Sequence, residues 1–322
     1  MIKVVNPSVE IWNQEGYTLD AIWKHMARCA RVCYQSTPKN NGETDYGFIV
    51  RTILKGIDVV NQPYDIEKIS TCHLSVLEHG TVHLRYPLYV PRASVQFECR
   101  LKYNKYSKFY IDEKDYAYVT TNMRVLVENG WIDELEFIDE IHNNEYNLIN
   151  RCTINFITDI GTSRELNRHR VNSISEESTR YCRYNADKFR NNITVTKLPW
   201  IPYTDVDGQC YNAGFYGDEE IFYDNCIESR YCKDWTAIDW FLHGLQIANL
   251  VYCKCIELGW TAQHAREILP LNTKTQVVHT AFVDDWGHFI DLRSNGVSGV
   301  PHPMAKELAD KVKFLLSCKL CG

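Results

Sequence analysis

The sequence predicts a mixed α/β fold, and three segments carry this prediction. Thr18 precedes an amphipathic stretch that runs to about Tyr34, with its apolar residues on one helical face. Residues 153–160 alternate polar with β-branched or aromatic side chains, which is typical of a strand. A long amphipathic helix is predicted from about Ala237 to Leu258, and it ends at Gly259, a residue common after helix C-termini.

The remaining elements are predicted from the same periodicities and from turn-forming residues. Further helices are predicted at about Gly47 to Val60, Thr120 to Asn129, Ile132 to His142, Ala262 to Leu269 and Thr275 to Leu292, with a short helix from Ser163. Residues 72–80 should form a turn or short helix, followed by a strand from Thr81 to Val90. We expect residues 91–115 to be irregular or a hairpin, and 191–235 to be an inserted surface excursion.

Composition is that of an ordinary globular enzyme or binding protein. The chain has 322 residues, of which 45% are apolar, enough for one large domain or two small ones with a substantial core. We find no apolar run long enough to cross a bilayer, and the residues after Met1 lack the core of a signal peptide, so a cytoplasmic location without a membrane partner is expected.

The cysteines predict free thiols. Their number, thirteen, is odd, and the chain is long, which together argue against a disulfide framework. Cys318 and Cys321 are spaced like metal ligands, but a structural zinc needs four ligands, and a second well-spaced pair is missing. We therefore expect no metal site.

Basic residues concentrate in one segment of a mildly acidic chain. Residues 164–190 contain seven Lys or Arg and four Asp or Glu, a local balance of 7 − 4 = +3, although the formal net charge of the chain is −6. Arginine offers forked donors that match phosphate oxygens, and Ser178 and Arg180 would face the same side of an extended segment. The segment predicts an anion site; the alternative is a solvated basic face. The acidity of the whole chain argues against a nucleic-acid partner.

This segment resembles a known family signature. Arg168-His169-Arg170 is followed by seven residues, Ser178 and then Thr-Arg-Tyr, as in the flavin-dependent thymidylate synthases. Four further segments are similar to that family in the same chain order: Ala30-Arg31-Val32-Cys33-Tyr34; His73-x-Ser75-x-x-Glu78-His79, with Val76-Leu77 in place of Pro-Phe; Ala265-Arg266-Glu267-Ile268-Leu269-Pro270-Leu271; and His288-Phe289-Ile290-Asp291-Leu292-Arg293.

The resemblance, which covers about half of the chain, implies both a fold and a reaction. It implies a single domain over residues 1–322, with a central, mostly antiparallel sheet, flanking helices and insertions at about 81–151 and 182–235. It also implies that FAD, reduced by NADPH, serves in the transfer of a one-carbon unit from methylene-tetrahydrofolate to 2′-deoxyuridine monophosphate (dUMP), which gives thymidylate. Family members assemble as homotetramers with shared active sites.

The resemblance also assigns roles to individual residues. The FAD-binding residues would be His73, Ser75, Arg168, His169, Arg170, Glu176 and His288, with His73 and Ser75 supplied by another subunit. The residues that bind dUMP would be Glu165, Arg168, Glu176, Glu177, Ser178, Thr179, Arg180, Arg266 and Arg293. Two alternatives remain open: His73 as a core histidine, and the adjacent glutamates 176 and 177 as counter-charges for arginines.

Arg293 is the implied catalytic residue. Uracil becomes a better carbon nucleophile as negative charge develops on its imide edge, and a fixed guanidinium there stabilises that charge. The alternative is an arginine that complements the dipole at the end of a helix. Ser178 has no Ser-His-acid arrangement in the sequence to activate it, so we interpret it as a phosphate ligand.

Three positions depart from the family pattern: Glu165 replaces a common Gln, Phe282-Val283-Asp284 replaces an Asn-x-Arg flavin contact, and His288 replaces an Asn. Two other functions remain open. One is a related flavoenzyme that acts on another uridine nucleotide. The other is a non-catalytic RNA-binding protein that uses residues 164–190 and its tyrosines as stacking surfaces.

Overall fold

The computed structural model describes residues 2–38, 42–140, 150–189, 191–201, 213–215, 220–223 and 236–320. The α-helices are α1 (Leu19–Tyr34), α2 (Asp45–Thr52), α3 (Ile66–Ile69), α4 (Pro91–Gln96), α5 (Met123–Asn129), α6 (Ile160–Leu166), α7 (Ala237–Glu257), α8 (Ala262–Ala265), α9 (Val283–Ile290) and α10 (Pro303–Leu320). The strands are β1 (Ile2–Val5), β2 (Ser8–Ile11), β3 (Thr81–Pro87), β4 (Lys108–Ile111), β5 (Tyr116–Asn122), β6 (Arg151–Asp159), β7 (Ser173–Glu176), β8 (Thr194–Thr196), β9 (Ala213–Phe215), β10 (Glu220–Tyr223) and β11 (Lys274–Phe282).

The strands of the described residues form three sheets. Their orders are β8-β1-β10-β9, β2-β6-β11-β7 and β3-β5-β4. The pairings are antiparallel except that of β1 with β8. A mixed helix-and-sheet protein with mostly antiparallel strands is thus confirmed.

The sheet β2-β6-β11-β7 carries the site. Strands β6 and β11 pair along their full length, from Lys274 opposite Asp159 to Phe282 opposite Arg151. One face of this sheet packs against α9 and α10, with Phe156, Trp286 and Phe289 fully buried. Helix α1 covers the opposite face, so both faces of the central strands are removed from water.

Helix α1 begins as predicted and joins two sheets. The hydroxyl of Thr18 accepts a hydrogen bond from the backbone N–H of Ala21 at 3.2 Å, which satisfies one of the open donors of the first turn. The apolar face of α1, with Ile22 and Met26 fully buried, packs into a core shared with β3 and β5. Burial of this face on the three-stranded sheet holds the segment 81–122 against the rest of the protein.

Other predicted elements are confirmed. Strand β6 begins two residues before the predicted strand 153–160 and ends one residue earlier. The short element predicted at residues 72–80 is a 3₁₀ turn, Leu74–His79. Helix α7 ends at Glu257, and Gly259 takes a φ of +101° just after it. In the part of the chain that the structure describes, no helix is both long and apolar enough to cross a membrane.

Two helix predictions are wrong over part of their length, for one reason. Residues 275–282 belong to strand β11, and the helix begins only at Val283. Residues 120–122 likewise end strand β5 before α5 begins at Met123. Both strands lie between two other strands and are buried on both faces, so their sequences lack the alternation that identifies a half-exposed strand.

The remaining differences concern ends and insertions. The predicted helix 47–60 ends at Thr52, and the region 91–115 begins with helix α4 and a π-helical turn before β4 and β5 form the predicted hairpin. The predicted helix 132–142 is a 3₁₀ turn, Ile132–Phe137, and His142 lies outside the described residues. Within the predicted excursion 191–235, strand β8 is buried and pairs with β1, which corrects that prediction for these residues; 202–212, 216–219 and 224–235 lie outside the described ones.

Paired Gly→Ala substitutions should shift stability in opposite directions. Gly130 ends α5 at φ +69°, and a Cβ there would lie 2.8 Å from the Tyr64 ring, so Gly130→Ala should lower the free energy of unfolding by about 1–2 kcal/mol. Gly244 lies inside α7 with no atom within 4 Å of an added Cβ, so Gly244→Ala should raise it by about 0.5–1 kcal/mol. Urea unfolding measures both, and a shift of the same sign in both variants would contradict the assignment.

Candidate functional site

The basic segment lies between a helix end and a buried strand. Asp159 ends β6 and caps α6, accepting a hydrogen bond from the N–H of Thr162 at 2.6 Å. Helix α6 then ends at Leu166, and residues 168–170 form the turn that leads into β7. The predicted helix from Ser163 and the loop after it are therefore confirmed, with β7 added by pairing to β11.

An open pocket of about 540 Å³ lies at the end of β7. Its walls come from α6, from the residues that follow β7, and from α8 with the turn after it. The lining residues are Ile160, Ser163, Arg164, Glu176, Glu177, Ser178, Thr179, Arg180, Arg266, Glu267, Leu269 and Leu271. The fold thus brings the predicted substrate residues 176–180 together with Arg266, which is distant in sequence.

Backbone and side-chain hydrogen bonds hold the Ser178 turn. The N–H of Ser178 donates to the carbonyl of Cys33 at 3.0 Å, which ties the pocket to the end of α1. The guanidinium of Arg180 donates to Gln263 Oε1 at 3.1 and 3.3 Å. The Ser178 hydroxyl accepts from the N–H of Arg180 at 3.4 Å. A neutral amide orients Arg180 here, so its positive charge stays available to an anion in the pocket.

Glu177 forms a buried ion pair beneath the pocket. Its carboxylate accepts from Lys274 Nζ at 2.6 Å and from the Tyr184 hydroxyl at 3.1 Å. The Glu177 side chain is 0% exposed and that of Lys274 is 16% exposed. Glu177 is thus the counter-ion of Lys274, a lysine of β11, and not of an arginine of the motif.

Glu176 is held by a chain of hydrogen bonds. Asn167 Nδ2 donates to Glu176 Oε2 at 3.0 Å, and Asn167 Oδ1 lies 3.1 Å from His279 Nε2. Asn172 Nδ2 lies 3.1 Å from His279 Nδ1, so the ring carries its proton on Nε2. Burial lowers the pKa of His279 to about 3, which keeps the ring neutral. Each hydrogen bond of this series therefore keeps the same donor and acceptor. Thr275 donates to the second oxygen of Glu176 at 3.1 Å.

Arg293 is fixed beside the motif by three hydrogen bonds. Its guanidinium donates to Glu165 Oε2 at 2.9 Å, to the Glu165 carbonyl at 2.8 Å and to His169 Nε2 at 3.3 Å. Burial, followed by the charges of Arg293 and His288, lowers the pKa of His169 to about 4, so its Nε2 can accept. The Arg293 side chain is only 17% exposed, so it is oriented and not a flexible surface cation.

The arginines that flank His169 point outward. Arg168 and Arg170 are exposed while His169 is 5% exposed, and neither arginine has a carboxylate partner among the described residues. The His288 ring lies 6.0 Å from that of His169, between ring centroids. Two exposed guanidiniums without a carboxylate partner among the described residues match the donors that an anionic cofactor needs.

His73 and Ser75 do not line the described pocket, and both are exposed at the start of the 3₁₀ turn. The alternative of a core histidine at position 73 is therefore wrong. The core histidine of this turn is His79, which lies 2.7 Å from the Thr280 hydroxyl and 2.9 Å from that of Ser175.

Residues 282–284, which differ from the family pattern, contact a residue of the predicted insertion 81–151. Lys108 of β4 donates to both carboxylate oxygens of Asp284 at 2.5 Å and lies 4.4 Å from the centre of the Phe282 ring. The acidic residue that replaces the family arginine thus holds the three-stranded sheet against the start of α9.

The sequence-based prediction missed several residues of this site, including Arg164, Asn167, Lys274 and His279. The first two lie in the basic segment, where the local charge excess was a signal for Arg164. Lys274 and His279 carried no signal, because Lys274 lay outside every predicted element and His279 was predicted to be helical. Only the tertiary structure brings Lys274 to Glu177 and places His279 beside Asn167, which in turn binds Glu176.

Four buried histidines should make the free energy of unfolding decrease when the pH is lowered below about 6.5. Burial lowers the pKa of His25 and His169 to about 4, that of His279 to about 3, and that of His79 well below its usual value. Since the unfolded chain binds these protons at about pH 6.5, their contribution is complete above that pH and is lost as pH falls towards 4. Each histidine should contribute a slope approaching about 1.4 kcal/mol per pH unit.

Urea unfolding between pH 7.5 and 5 measures this slope. His25→Gln should make it shallower, and His264→Gln, at an exposed ring, is the matched control for the substitution. A slope that is unchanged in His25→Gln would contradict the prediction.

Removal of one partner of the Glu177–Lys274 pair should be costly. Glu177→Ala leaves a largely buried ammonium without its counter-charge and should lower the free energy of unfolding by about 3–5 kcal/mol. The exposed pair of Glu15 and Lys24 is the control, and Glu15→Ala should produce no measurable change. Equal effects of the two substitutions in urea unfolding would show that the Glu177 pair is not buried.

Comparisons with known proteins agree with the family resemblance. Residues 136–311 match the Thy1 family, described as thymidylate synthase complementing protein. No curated protein sequence matches the chain.

Among solved structures, a UMP/dUMP methylase, PolB, from Streptomyces cacaoi is similar at a low level. With 5-Br UMP bound it shows 18% identity over 54% of this chain and 72% of that chain, at a TM-score of 0.38. With 5-Br dUMP bound it shows 20% identity over 54% of this chain and 69% of that chain, at a TM-score of 0.37.

The family match spans more than half of the chain, including β6, β7, β11 and all the residues that line the pocket. The chain belongs to the Thy1 family, the flavin-dependent thymidylate synthases.

Proposed function

We propose that the protein catalyses the reductive methylation of dUMP to thymidylate, with methylene-tetrahydrofolate as carbon donor and NADPH-reduced FAD as hydride carrier. The observation that carries this proposal is the pocket at the end of β7, where Ser178, Thr179 and Arg180 meet Arg266. Family membership supports the reaction class.

The pocket suits the phosphate of a nucleotide. Arg180 is oriented by a neutral amide, and the salt bridge of Arg266 is with the adjacent Glu267, whose side chain is 75% exposed. Exposed pairs of this kind are weak, so both guanidiniums can turn to a dianion. The hydroxyls of Ser178 and Thr179 add donors without charge. We propose that these four residues bind the dUMP phosphate, and that Glu176 and Glu177 line the nucleoside part of the pocket.

Exposed residues of the motif fit an anionic cofactor. Arg168 and Arg170 have no carboxylate partner among the described residues, and His169 between them in sequence has the His288 ring 6.0 Å from its own, between ring centroids. We propose that these four residues and Glu176 hold FAD, which supplies hydride when bound and reduced. His73 and Ser75 are exposed and outside this group, so the proposal assigns them to the site of another copy in a homotetramer with shared active sites.

Arg293 is the proposed catalytic residue. Its guanidinium is held by Glu165 and His169, so its orientation is set before substrate binds. A preoriented cation stabilises negative charge that develops on the imide edge of uracil without the cost of reorientation. The salt bridge also gives the replacement of the family Gln by Glu165 a role, because a carboxylate holds a guanidinium more firmly than an amide does.

We also propose a cytoplasmic location with small molecules, and neither nucleic acid nor membrane, as partners. The described cysteines support a reducing compartment, because Cys29, Cys72 and Cys182, among others, form no disulfide.

Reconstitution tests the proposed function directly. The purified protein should take up FAD and turn yellow, and anaerobic incubation with dUMP, NADPH and methylene-tetrahydrofolate should yield thymidylate. A colourless protein that does not bind FAD would reject the enzyme, and salt-sensitive RNA binding would then favour the RNA-binding alternative. A yellow protein that methylates another uridine nucleotide but not dUMP would support the related flavoenzyme.

Substitution of Arg293 tests its catalytic role. Arg293→Ala should reduce thymidylate formation by about a hundredfold or more while FAD remains bound. Arg293→Lys keeps the charge but loses the forked donors, so it should recover only part of the activity. Arg92→Ala, in α4 at an exposed pair with Glu136, is the matched control. Full turnover in Arg293→Ala would remove Arg293 from catalysis.

A further inference from the structure

A third arginine lines the proposed nucleotide pocket. Arg164 lies on α6, whereas Arg180 follows β7 and Arg266 follows α8, so three separate elements each contribute one arginine to the same pocket. No role in the site is assigned to Arg164 by the family signature, which begins at Arg168.

The charge of Arg164 is not used elsewhere in the described structure. Its side chain is exposed, and it has no carboxylate partner among the described residues. The other two arginines have a neutral amide or an exposed carboxylate as partner. All three guanidiniums can therefore bind an anion that enters the pocket.

The carboxylates of the pocket do not compete for Arg164. Glu177 is committed to Lys274 at 2.6 Å, and Glu176 accepts hydrogen bonds from Asn167 and Thr275. Once Glu177 is paired with Lys274, cations exceed unpaired carboxylates on the pocket wall. Such an excess favours a dianion over a neutral nucleoside.

We propose that Arg164 is a third ligand of the nucleotide phosphate and a determinant of the preference for nucleotides over nucleosides. This inference rests on the proposed function. Without a bound anion the side chain extends into solvent from α6. On binding of dUMP it donates hydrogen bonds to phosphate oxygens from the α6 side, while Arg180 and Arg266 donate from the opposite walls.

Equilibrium binding of dUMP and of deoxyuridine to the flavin-loaded protein tests the assignment, because the two compounds differ only in the phosphate. Arg164→Ala should weaken the binding of dUMP by about tenfold to a hundredfold and leave the affinity for deoxyuridine unchanged. Arg164→Lys should fall between wild type and Arg164→Ala, since it keeps a point charge and loses the fork. Arg51→Ala, at an exposed pair with Glu43 on α2, is the matched control and should bind both compounds as wild type does.

Each other outcome overturns the proposal. Wild-type affinity for dUMP in Arg164→Ala would show that the residue does not contact the phosphate. An equal loss for dUMP and deoxyuridine would place Arg164 on the nucleoside or in the folding of α6. A wild-type protein that binds neither compound would instead reject the proposed function, and the inference with it.

Discussion

The pairing of β11 with β6 and β7 is the constraint on which the rest of the site depends. Strand β11 is buried on both faces, and its hydrogen bonds place Val277 opposite Glu176. Its first two residues, Lys274 and Thr275, bind Glu177 and Glu176, and its end leads into the helix that precedes Arg293. A one-residue slip of this strand would turn each of these side chains to the opposite face of the sheet.

The site keeps its cations available by pairing its anions elsewhere. Glu177 is paired with a lysine below the pocket, and Glu176 is held by neutral donors. Arg266 has only an exposed partner, Glu267, whereas Glu165 fixes Arg293 in one orientation. The arginines of the pocket can thus change partners on binding, while the proposed catalytic arginine cannot. This division matches the needs of the two roles: phosphate ligands exchange water for substrate, whereas a group that stabilises developing charge acts best when its orientation is already set.

Local structure could be predicted well where a short run of neighbouring residues determines it. The cap at Thr18, the end of α7 before Gly259 and the position of the basic motif after α6 all follow from short patterns, and all are confirmed. Residues 120–122 and 275–282 were predicted to be helical, since strands buried on both faces lack alternation and resemble buried helices. Thr275, a partner of Glu176, was missed through that error.

The sequence by itself determined the mixed fold class, the family and the residue types of the anion site, because arginines, hydroxyls and their spacing are local properties of the chain. Only the tertiary structure decided which charges are paired. It placed Lys274 beneath Glu177, Glu165 beside Arg293 and Arg164 without a carboxylate partner among the described residues. The physical reason is that an ion pair depends on distance and burial, and these are set by the packing of β11 and α6 rather than by separation along the chain.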